Sequence, residues 1–171
     1  KAAGEKLAVF ARSIVDADKP DACHPWLVFL QGGPGFPGPR PSSRSGWLKR
    51  TLQEDRVLLL DSRGNGRSSV VLPQTLARRG DARAQAAYLS HFRADRIVDD
   101  CELIRRALAG PSQKWSVLGQ SYGGFCAVHY LSAHPEGLGE AFITGGLPPP
   151  AAGADDYYRA TYPIVRSKTR K

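Results

Sequence analysis

The stretch Val117-Leu118-Gly119-Gln120-Ser121-Tyr122-Gly123-Gly124 decides the fold of this 171-residue chain. It overlaps the short apolar run Trp115 to Leu118, which predicts a buried strand, and it leads into Tyr122 to Ala133, which predicts a helix. A GxSxG pattern between a strand and a helix is typical of a sharp turn that lifts its serine above the carboxyl edge of a sheet. Ser121 is therefore the candidate nucleophile.

The glycines of this turn follow from its geometry. Strand and helix nearly touch there, so only residues without a Cβ fit at the flanking positions, and Gly119, Gly123 and Gly124 supply them. The helix aims its first amide groups at the oxygen that becomes negative during attack on a carbonyl, which makes the Tyr122 amide a candidate oxyanion donor. The alternative is a plain strand-to-helix turn, since GxSxG also occurs by chance.

Outside the turn, strand and helix patterns alternate along the chain. Four further runs predict strands: an edge strand at Lys6 to Arg12, and buried strands at Trp26 to Leu30, Arg56 to Leu60 and Ala141 to Thr144. Two further helices are predicted over Ser45 to Gln53 and Arg93 to Leu108, the second with apolar residues at helical spacing. The alternation indicates an α/β fold with a mostly parallel sheet and flanking helices.

A proline run at 148–150 ends this alternation. Residues 1–150 are predicted to form the N-terminal part of the α/β core, and residues 151–171 to begin a further helical segment, helical from Asp155 to Lys171. No Gly or Asn stop signal follows Arg170, so we expect the chain to be interrupted inside a helix. The sheet would then be incomplete, and we expect an isolated chain with such an apolar edge to be poorly soluble or to need its remainder.

The segment Gln31-Gly32-Gly33-Pro34-Gly35 directly follows a predicted strand. Two glycines allow backbone amides to face a substrate oxygen, and Pro34, which has no amide hydrogen, restricts the local turn. Gly33 is the first choice for a second oxyanion donor and Gly32 is the other choice. The alternative is a glycine-proline surface loop.

The segment Asp61-Ser62-Arg63-Gly64-Asn65-Gly66-Arg67-Ser68 follows the next predicted strand. Its two glycines suggest a dinucleotide-binding fingerprint, but the third glycine is missing and no helix opens at the turn. A structural interpretation is favoured, in which Asp61 and Arg63 tie neighbouring loops together through charge-assisted hydrogen bonds.

Taken together, QGGPG, DSRGNGRS and GQSYGG resemble the motifs of the proline iminopeptidase family, which are prolyl aminopeptidases of the α/β-hydrolase fold. The usual family forms are HGGPG, DQRGxGRS and GxSxGG, so the chain departs from them at Gln31 and Ser62. Neither departure changes a backbone donor. The resemblance covers Trp26 to about Pro148, and the helical end at Tyr157 to Lys171 is similar to the beginning of the family's helical cap.

The resemblance implies release of an N-terminal residue, typically proline, from a peptide substrate with a free N-terminus. The reaction would pass through an acyl-enzyme on Ser121, with no metal and no other cofactor. In the family, a histidine oriented by an aspartate activates the serine, and both follow the last strand predicted here. Carboxylates of the cap that hold the substrate's amino group would also lie beyond Lys171.

The histidines of the chain do not complete such a triad. No acid lies between Ser121 and the later His129 or His134, and His129 is about 12 Å along the helix from the serine. His24 and His91 precede the motif and are interpreted as structural. Two alternatives stay open. The chain could belong to another serine acyl hydrolase of the same fold, namely an esterase or amidase, or it could be a catalytically inactive fragment.

The composition also bears on nucleic-acid binding, on membrane insertion and on the state of the cysteines. The excess of 24 Lys and Arg over 16 Asp and Glu is scattered along the chain, which does not favour nucleic-acid binding. The longest apolar runs are too short to span a bilayer. The cysteines Cys23, Cys101 and Cys126 are odd in number and lack metal-ligand spacing, so they predict free thiols and a cytoplasmic protein, with Cys126 a small core residue.

Overall fold

A computed structural model of the chain describes residues 6–18, 24–146 and 153–169. Its strands are β1 (Phe10–Ile14), β2 (Trp26–Leu30), β3 (Arg56–Asp61), β4 (Trp115–Gln120) and β5 (Leu138–Thr144). Its helices are α1 (Gly46–Thr51), α2 (Pro73–Ala77), α3 (Ala82–Leu89), α4 (Ala94–Leu108), α5 (Tyr122–Ala133) and α6 (Ala154–Thr169). Two 3₁₀ turns, Ser90–Phe92 and Pro135–Gly137, precede α4 and β5. No helix in the described ranges combines the length and the apolar content needed to cross a bilayer.

The five strands form one sheet in the order β1-β3-β2-β4-β5. β1 runs antiparallel to β3, whereas the β2–β3, β2–β4 and β4–β5 pairs are all parallel. The central strands are buried because helices cover both faces of the sheet. The predicted α/β class, with a mostly parallel sheet, is confirmed.

The first strand lies later in the chain than predicted. Lys6 to Arg12 was the expected range, but β1 begins at Phe10 and ends at Ile14. The backbone of Ala8 instead contacts Ser69, whose hydroxyl accepts the Ala8 amide at 2.8 Å and whose amide donates to the Ala8 carbonyl. The loop that contains Ser69 therefore takes the hydrogen bonds that a strand partner would have taken.

Helices α2 and α3 were not predicted. Pro73 occupies the first turn of α2, where a missing amide hydrogen costs nothing. In α3, the side chain of Asp81 caps the helix by accepting the Ala84 amide at 2.9 Å. Neither helix contains a buried residue, so their sequences lack the apolar periodicity that would have revealed them.

Two apolar clusters form the core, one on each face of the sheet. On one face, α4 and α5 pack against β2 and β4, with Val98, Cys101 and Tyr130 fully buried. On the other face, Leu48 and Leu52 of the α1 region cover Phe29 and neighbouring side chains of β3. Each fully buried large apolar side chain contributes about 1.5–3 kcal/mol. These contacts fix the strands whose carboxyl ends carry the glycine-rich loops.

A buried polar network joins α4 to α5. The carboxylate of Glu102 accepts hydrogen bonds from Arg105 at 2.8 and 2.9 Å, from Arg106 at 2.6 Å and from the Tyr130 hydroxyl at 3.0 Å. The Arg105 guanidinium also donates to the carbonyls of Gly110 and Gln113 in the loop before β4. The hydrogen bonds from Arg105, with those of Arg106 and Tyr130, hold the pKa of Glu102 at about 2.

Candidate active site

The backbone of Ser121 adopts a conformation that L-residues rarely take. Its φ of 53° is the one positive value recorded for a residue other than glycine in the described ranges. The Ser121 amide donates to the Thr144 carbonyl at 2.8 Å, and the Ser121 carbonyl accepts the Phe125 amide at 3.1 Å. Such a conformation costs about 1–3 kcal/mol and persists only where its surroundings enforce it. Bonds to β5 on one side and to α5 on the other do so here.

The glycines around Ser121 are required by close backbone contact. A Cβ on Gly123 would overlap the carbonyl oxygen of Leu30 at the end of β2, and a Cβ on Gly119 would overlap the carbonyl oxygen of Gly123. Gly124 is less restricted, because its Cβ would lie 3.1 Å from a methyl group of Ile143. The start of α5 thus packs directly on the carboxyl ends of β2 and β4.

The loop at 31–35 lies against the candidate nucleophile. A Cβ built on Gly32 would lie 3.1 Å from the Ser121 Cβ and 3.7 Å from its Oγ. Gly33 has a φ of 118°, which favours glycine, and the Gly33–Pro34 peptide bond is cis. Gly32 and Tyr122 also line a shared cavity of about 40 Å³ beside the loop. The structure therefore brings the loop that carries Gly32 and Gly33 to Ser121 and Tyr122.

The amide of Gly32 already has a hydrogen-bond partner within the loop. It donates to the side-chain carbonyl oxygen Oε1 of Gln31 at 3.0 Å. Gln31 is half-buried and lines the same cavity. In the sequence, Gln31 stands out only as a departure from the family pattern, and no local signal indicates this contact.

Asp61 connects the glycine-rich turn to the segment that follows the loop at 31–35. Its side chain is 4% exposed, and its two carboxylate oxygens accept the Gly38 amide at 2.8 Å and the Arg67 amide at 2.9 Å. The Ser68 hydroxyl donates to the Asp61 carbonyl. Arg40, which is mostly exposed, lies 3.8 Å away and adds a weak ion pair. Asp61 thereby holds two loops in a fixed relation.

Arg63 connects the same turn to α4. Its guanidinium makes a bidentate pair with Asp100 at 2.7 and 2.5 Å, and it donates to the His91 carbonyl at 2.7 Å. Both side chains of the ion pair are largely buried, which strengthens the contact relative to a surface pair. Asp61 and Arg63 therefore act on different neighbours. No sequence signal singled out Asp100 as the partner.

The ionisable side chains at the start of α5, directly after Ser121, remain uncharged. Burial raises the pKa of Tyr122 to about 12, and burial likewise raises the pKa of the Cys126 thiol to about 12. Cys126 is thus a protonated core residue and not a second nucleophile. Cys101 is also free and buried, while Cys23 lies outside the described residues.

Two of the four histidines, His24 and His134, contact groups other than Ser121. His134 ends α5, and its ring lies 3.6 Å from Asp99 and 3.8 Å from Glu136. His24 precedes β2 at the opposite edge of the sheet and contacts the Glu54 carbonyl. Across the part of the chain that the structure describes, no histidine or carboxylate forms a hydrogen bond with the Ser121 hydroxyl.

One cluster in the described ranges has the residue types of a metal site. Ligand atoms of Glu102, His134 and Glu136 lie within 4.8 Å of one another. The Glu102 carboxylate already accepts hydrogen bonds from two arginines and a tyrosine, which satisfies its charge. The cluster is part of the network between α4 and α5, at the opposite end of α5 from Ser121.

The sequence of this chain matches a family model and several known proteins. A family model of the alpha/beta hydrolase fold matches residues 25–169. A proline iminopeptidase of Aeromonas sobria is 53% identical over 166 residues, which are 97% of this chain and 39% of that protein. A proline iminopeptidase of Aspergillus aculeatus is 46% identical over 148 residues, covering 82% of this chain and 32% of that protein.

A solved structure gives the same result for the fold. The proline iminopeptidase-related protein of Thermus thermophilus aligns with a TM-score of 0.51 and 26% identity, over 79% of this chain and 40% of that one. The chain therefore spans about a third to two fifths of the length of these relatives. These matches confirm the resemblance to proline iminopeptidases, and the chain belongs to the alpha/beta hydrolase family.

Proposed function

We propose that this chain carries the nucleophile and the oxyanion hole of a serine hydrolase of the prolyl aminopeptidase type. The substrate would be a peptide with a free N-terminus, and the product its N-terminal residue, typically proline. The observation that supports this proposal most strongly is the positive φ of Ser121, between close-packed glycines and beside the Gly32–Gly33 loop. The identity of 53% to a proline iminopeptidase supports the substrate class.

The proposed reaction begins with attack of the Ser121 hydroxyl oxygen on the carbonyl carbon of the first peptide bond. The carbonyl oxygen becomes negative, and backbone amides of Tyr122 and Gly33 stabilise it by hydrogen bonds. Collapse of this intermediate breaks the peptide bond, releases the shortened peptide and leaves the N-terminal residue as an ester on Ser121. Water then hydrolyses the ester and restores the serine.

Both steps need a general base that takes the proton from the attacking oxygen and passes it to the leaving atom, first the peptide nitrogen and then the Ser121 oxygen. We propose that a histidine, oriented by an aspartate, comes from outside these 171 residues, because the relatives are more than twice as long. The bonding of His24 and His134 to other groups supports this assignment. The mechanism as proposed uses no metal and no other cofactor.

The proposed function includes a division of the chain into two parts. Residues 1–150 would form the N-terminal part of the hydrolase core, and residues 151–171 would begin the helical cap. The exposed apolar side chains of α6, among them Tyr158 and Tyr162, support a helix that packs against further structure. A cytoplasmic location stays a prediction.

Labelling with a fluorophosphonate probe tests the nucleophile. We expect the probe to modify Ser121 in the unaltered chain and not in Ser121→Ala, with Ser132→Ala, an exposed serine of α5, as the matched control. Peptide mapping by mass spectrometry identifies the modified residue. The labelling is run at raised pH and with a large excess of probe, because the chain itself is proposed to lack the general base. A folded chain that is still not labelled under these conditions, or is labelled equally in Ser121→Ala, would contradict the proposed nucleophile.

A substrate panel tests the reaction class. We expect little turnover of a proline-linked chromogenic amide by the chain itself, since among the described residues no histidine or carboxylate forms a hydrogen bond with the Ser121 hydroxyl. Rapid turnover would show that the base lies within the chain. Ester turnover without amide turnover would favour an esterase over an aminopeptidase.

A further inference from the structure

Gln31 combines three features that the proposed mechanism does not yet use. Its side-chain carbonyl accepts the Gly32 amide at 3.0 Å, it is half-buried, and it lines the cavity of about 40 Å³ beside the loop. It also immediately precedes the two glycines that were named as alternative oxyanion donors. The contact therefore bears on which glycine is the donor.

An amide hydrogen points along one direction, so a hydrogen bond to one acceptor limits its bond to another. The Gly32 amide is directed to the Gln31 side chain. The Gly33 amide has no such acceptor among the described hydrogen bonds. In this arrangement Gly33 is the glycine whose amide is available to a substrate oxygen.

Packing restricts how far the loop can readjust. Gly32 lies so close to Ser121 that a Cβ on it would be 3.1 Å from the serine Cβ and 3.1 Å from the Gln120 carbonyl oxygen. The peptide between Gln31 and Gly32 is thus held by a hydrogen bond on one side and by contact with the nucleophile on the other. The next residue, Gly33, turns away with a φ of 118°.

We propose that Gln31 is a positioning residue of the oxyanion loop: its side-chain carbonyl engages the Gly32 amide and leaves Gly33 as the loop's oxyanion donor. The inference rests on the proposed function, since an oxyanion arises only if Ser121 attacks a carbonyl. A neutral amide suits this position, because a carboxylate acceptor would place a negative charge beside the developing oxyanion.

The first test follows the glycine amides by NMR and needs no catalysis. Hydrogen exchange of the Gly32 amide is compared in the ¹⁵N-glycine-labelled chain and in Gln31→Met, which has similar length and only a weak acceptor. We expect exchange at Gly32 to be at least about tenfold faster in Gln31→Met, with exchange at Gly123 and Gly124 of α5 unchanged. Equal exchange at Gly32 in the two proteins would overturn the proposal.

The second test uses the phosphonyl adduct on Ser121, whose phosphoryl oxygen takes the place of the oxyanion. We expect adduct formation to move the proton resonances of the Gly33 and Tyr122 amides downfield and to leave Gly32 in place. A downfield shift at Gly32 would show that Gln31 releases this amide when an oxyanion forms, and that result would also overturn the proposal.

The third test measures the second-order rate of labelling against pH. We expect Gln31→Met to lower the rate about tenfold through disorder of the loop. In Gln31→Glu the rate should fall further as pH rises through the pKa of the introduced carboxyl, while circular dichroism shows an unchanged fold. Gln74→Met, on exposed α2, is the matched control. A pH profile of Gln31→Glu that parallels that of the unaltered chain would contradict a role at the oxyanion.

The outcomes separate the two proposals. If neither the unaltered chain nor any variant reacts with the probe, the proposed function fails. Hydrogen exchange at Gly32 then still decides whether Gln31 holds that amide. If labelling occurs but Gly32 behaves alike in the unaltered chain and in Gln31→Met, the function stands and the role of Gln31 fails.

Discussion

Helices α5 and α6 were both predicted from sequence, yet their surroundings differ completely. In α5, Cys126, Ala127 and Tyr130 are at most 2% exposed, because the helix packs between the sheet and α4. In α6, Tyr158 is 66% exposed and Tyr162 is 77% exposed. Local sequence thus predicts a helix in both cases and says nothing about what covers its apolar side chains. The comparison predicts that substitutions in α5 are costly and that those in α6 are nearly neutral.

The largest effect is expected where α5 begins. Gly123→Ala should destabilise the fold by about 3 kcal/mol or more, because the added methyl group would overlap the Leu30 carbonyl oxygen. The matched control is Gly124→Ala, whose methyl group meets a side chain at 3.1 Å and should cost about 1 kcal/mol. Urea unfolding followed by circular dichroism measures both. Equal losses in the two variants would show that the contact with β2 is not rigid.

Acid should weaken the packing between α4 and α5. Glu102 has a pKa of about 2 in the folded protein against 4.5 as its ordinary value, so folding favours the charged form. Its contribution, about 3 kcal/mol, is fully present above pH 4.5 and is lost as pH falls through the folded pKa near 2.

The measurement is the melting temperature between pH 6 and pH 2. In Glu102→Gln the loss over this window should be smaller, although the variant is less stable at neutral pH because buried Arg105 loses its ion-pair partner. The proposal for this network fails if the unaltered chain and Glu102→Gln lose stability in parallel as pH falls.

At Ser121 we expect a smaller change in the free energy of unfolding, and one that stabilises the fold. Ser121→Gly should stabilise the fold by about 1 kcal/mol, because glycine adopts the positive φ of 53° without strain. Ser121→Ala keeps the strain and should leave stability nearly unchanged, while both variants lose labelling by the probe. A destabilised Ser121→Gly would mean that the hydroxyl contributes more to the fold than the backbone strain costs.

The smallest effect is expected in α6. Tyr162→Ser removes a side chain that is 77% exposed and should change the free energy of unfolding by less than about 0.5 kcal/mol. Tyr130→Phe in α5 is the comparison: loss of its hydrogen bond to Glu102 should cost about 1 kcal/mol. Thermal unfolding of Tyr162→Ser and Tyr130→Phe, each against the unaltered chain, measures the two losses of stability. A larger loss in Tyr162→Ser would show that α6 is packed in solution.

Local patterns predicted the central elements well. The bounds of β2 and α5 were predicted without error, since a short apolar run between turn residues and a helix after a tight turn are both local signals. β5 begins three residues earlier than the predicted Ala141 because Leu138, at its start, pairs with Trp115 of β4. Leu108, the last residue of α4, is 49% exposed, although the helical spacing of the apolar residues predicts one common face.

Sequence by itself determined the α/β class, the position of Ser121 and the need for glycine at 119 and 123, because each depends on a few consecutive residues and on backbone sterics. Only the tertiary structure decided which groups meet across the chain. Arg63 binds Asp100, 37 residues later, and Glu102 binds Tyr130, 28 residues later. Such contacts depend on strand order and helix packing, which no local pattern encodes. The bond from the Gly32 amide to Gln31 joins neighbours in the chain, yet only the structure showed it, because the sequence does not fix the rotamer of a glutamine side chain.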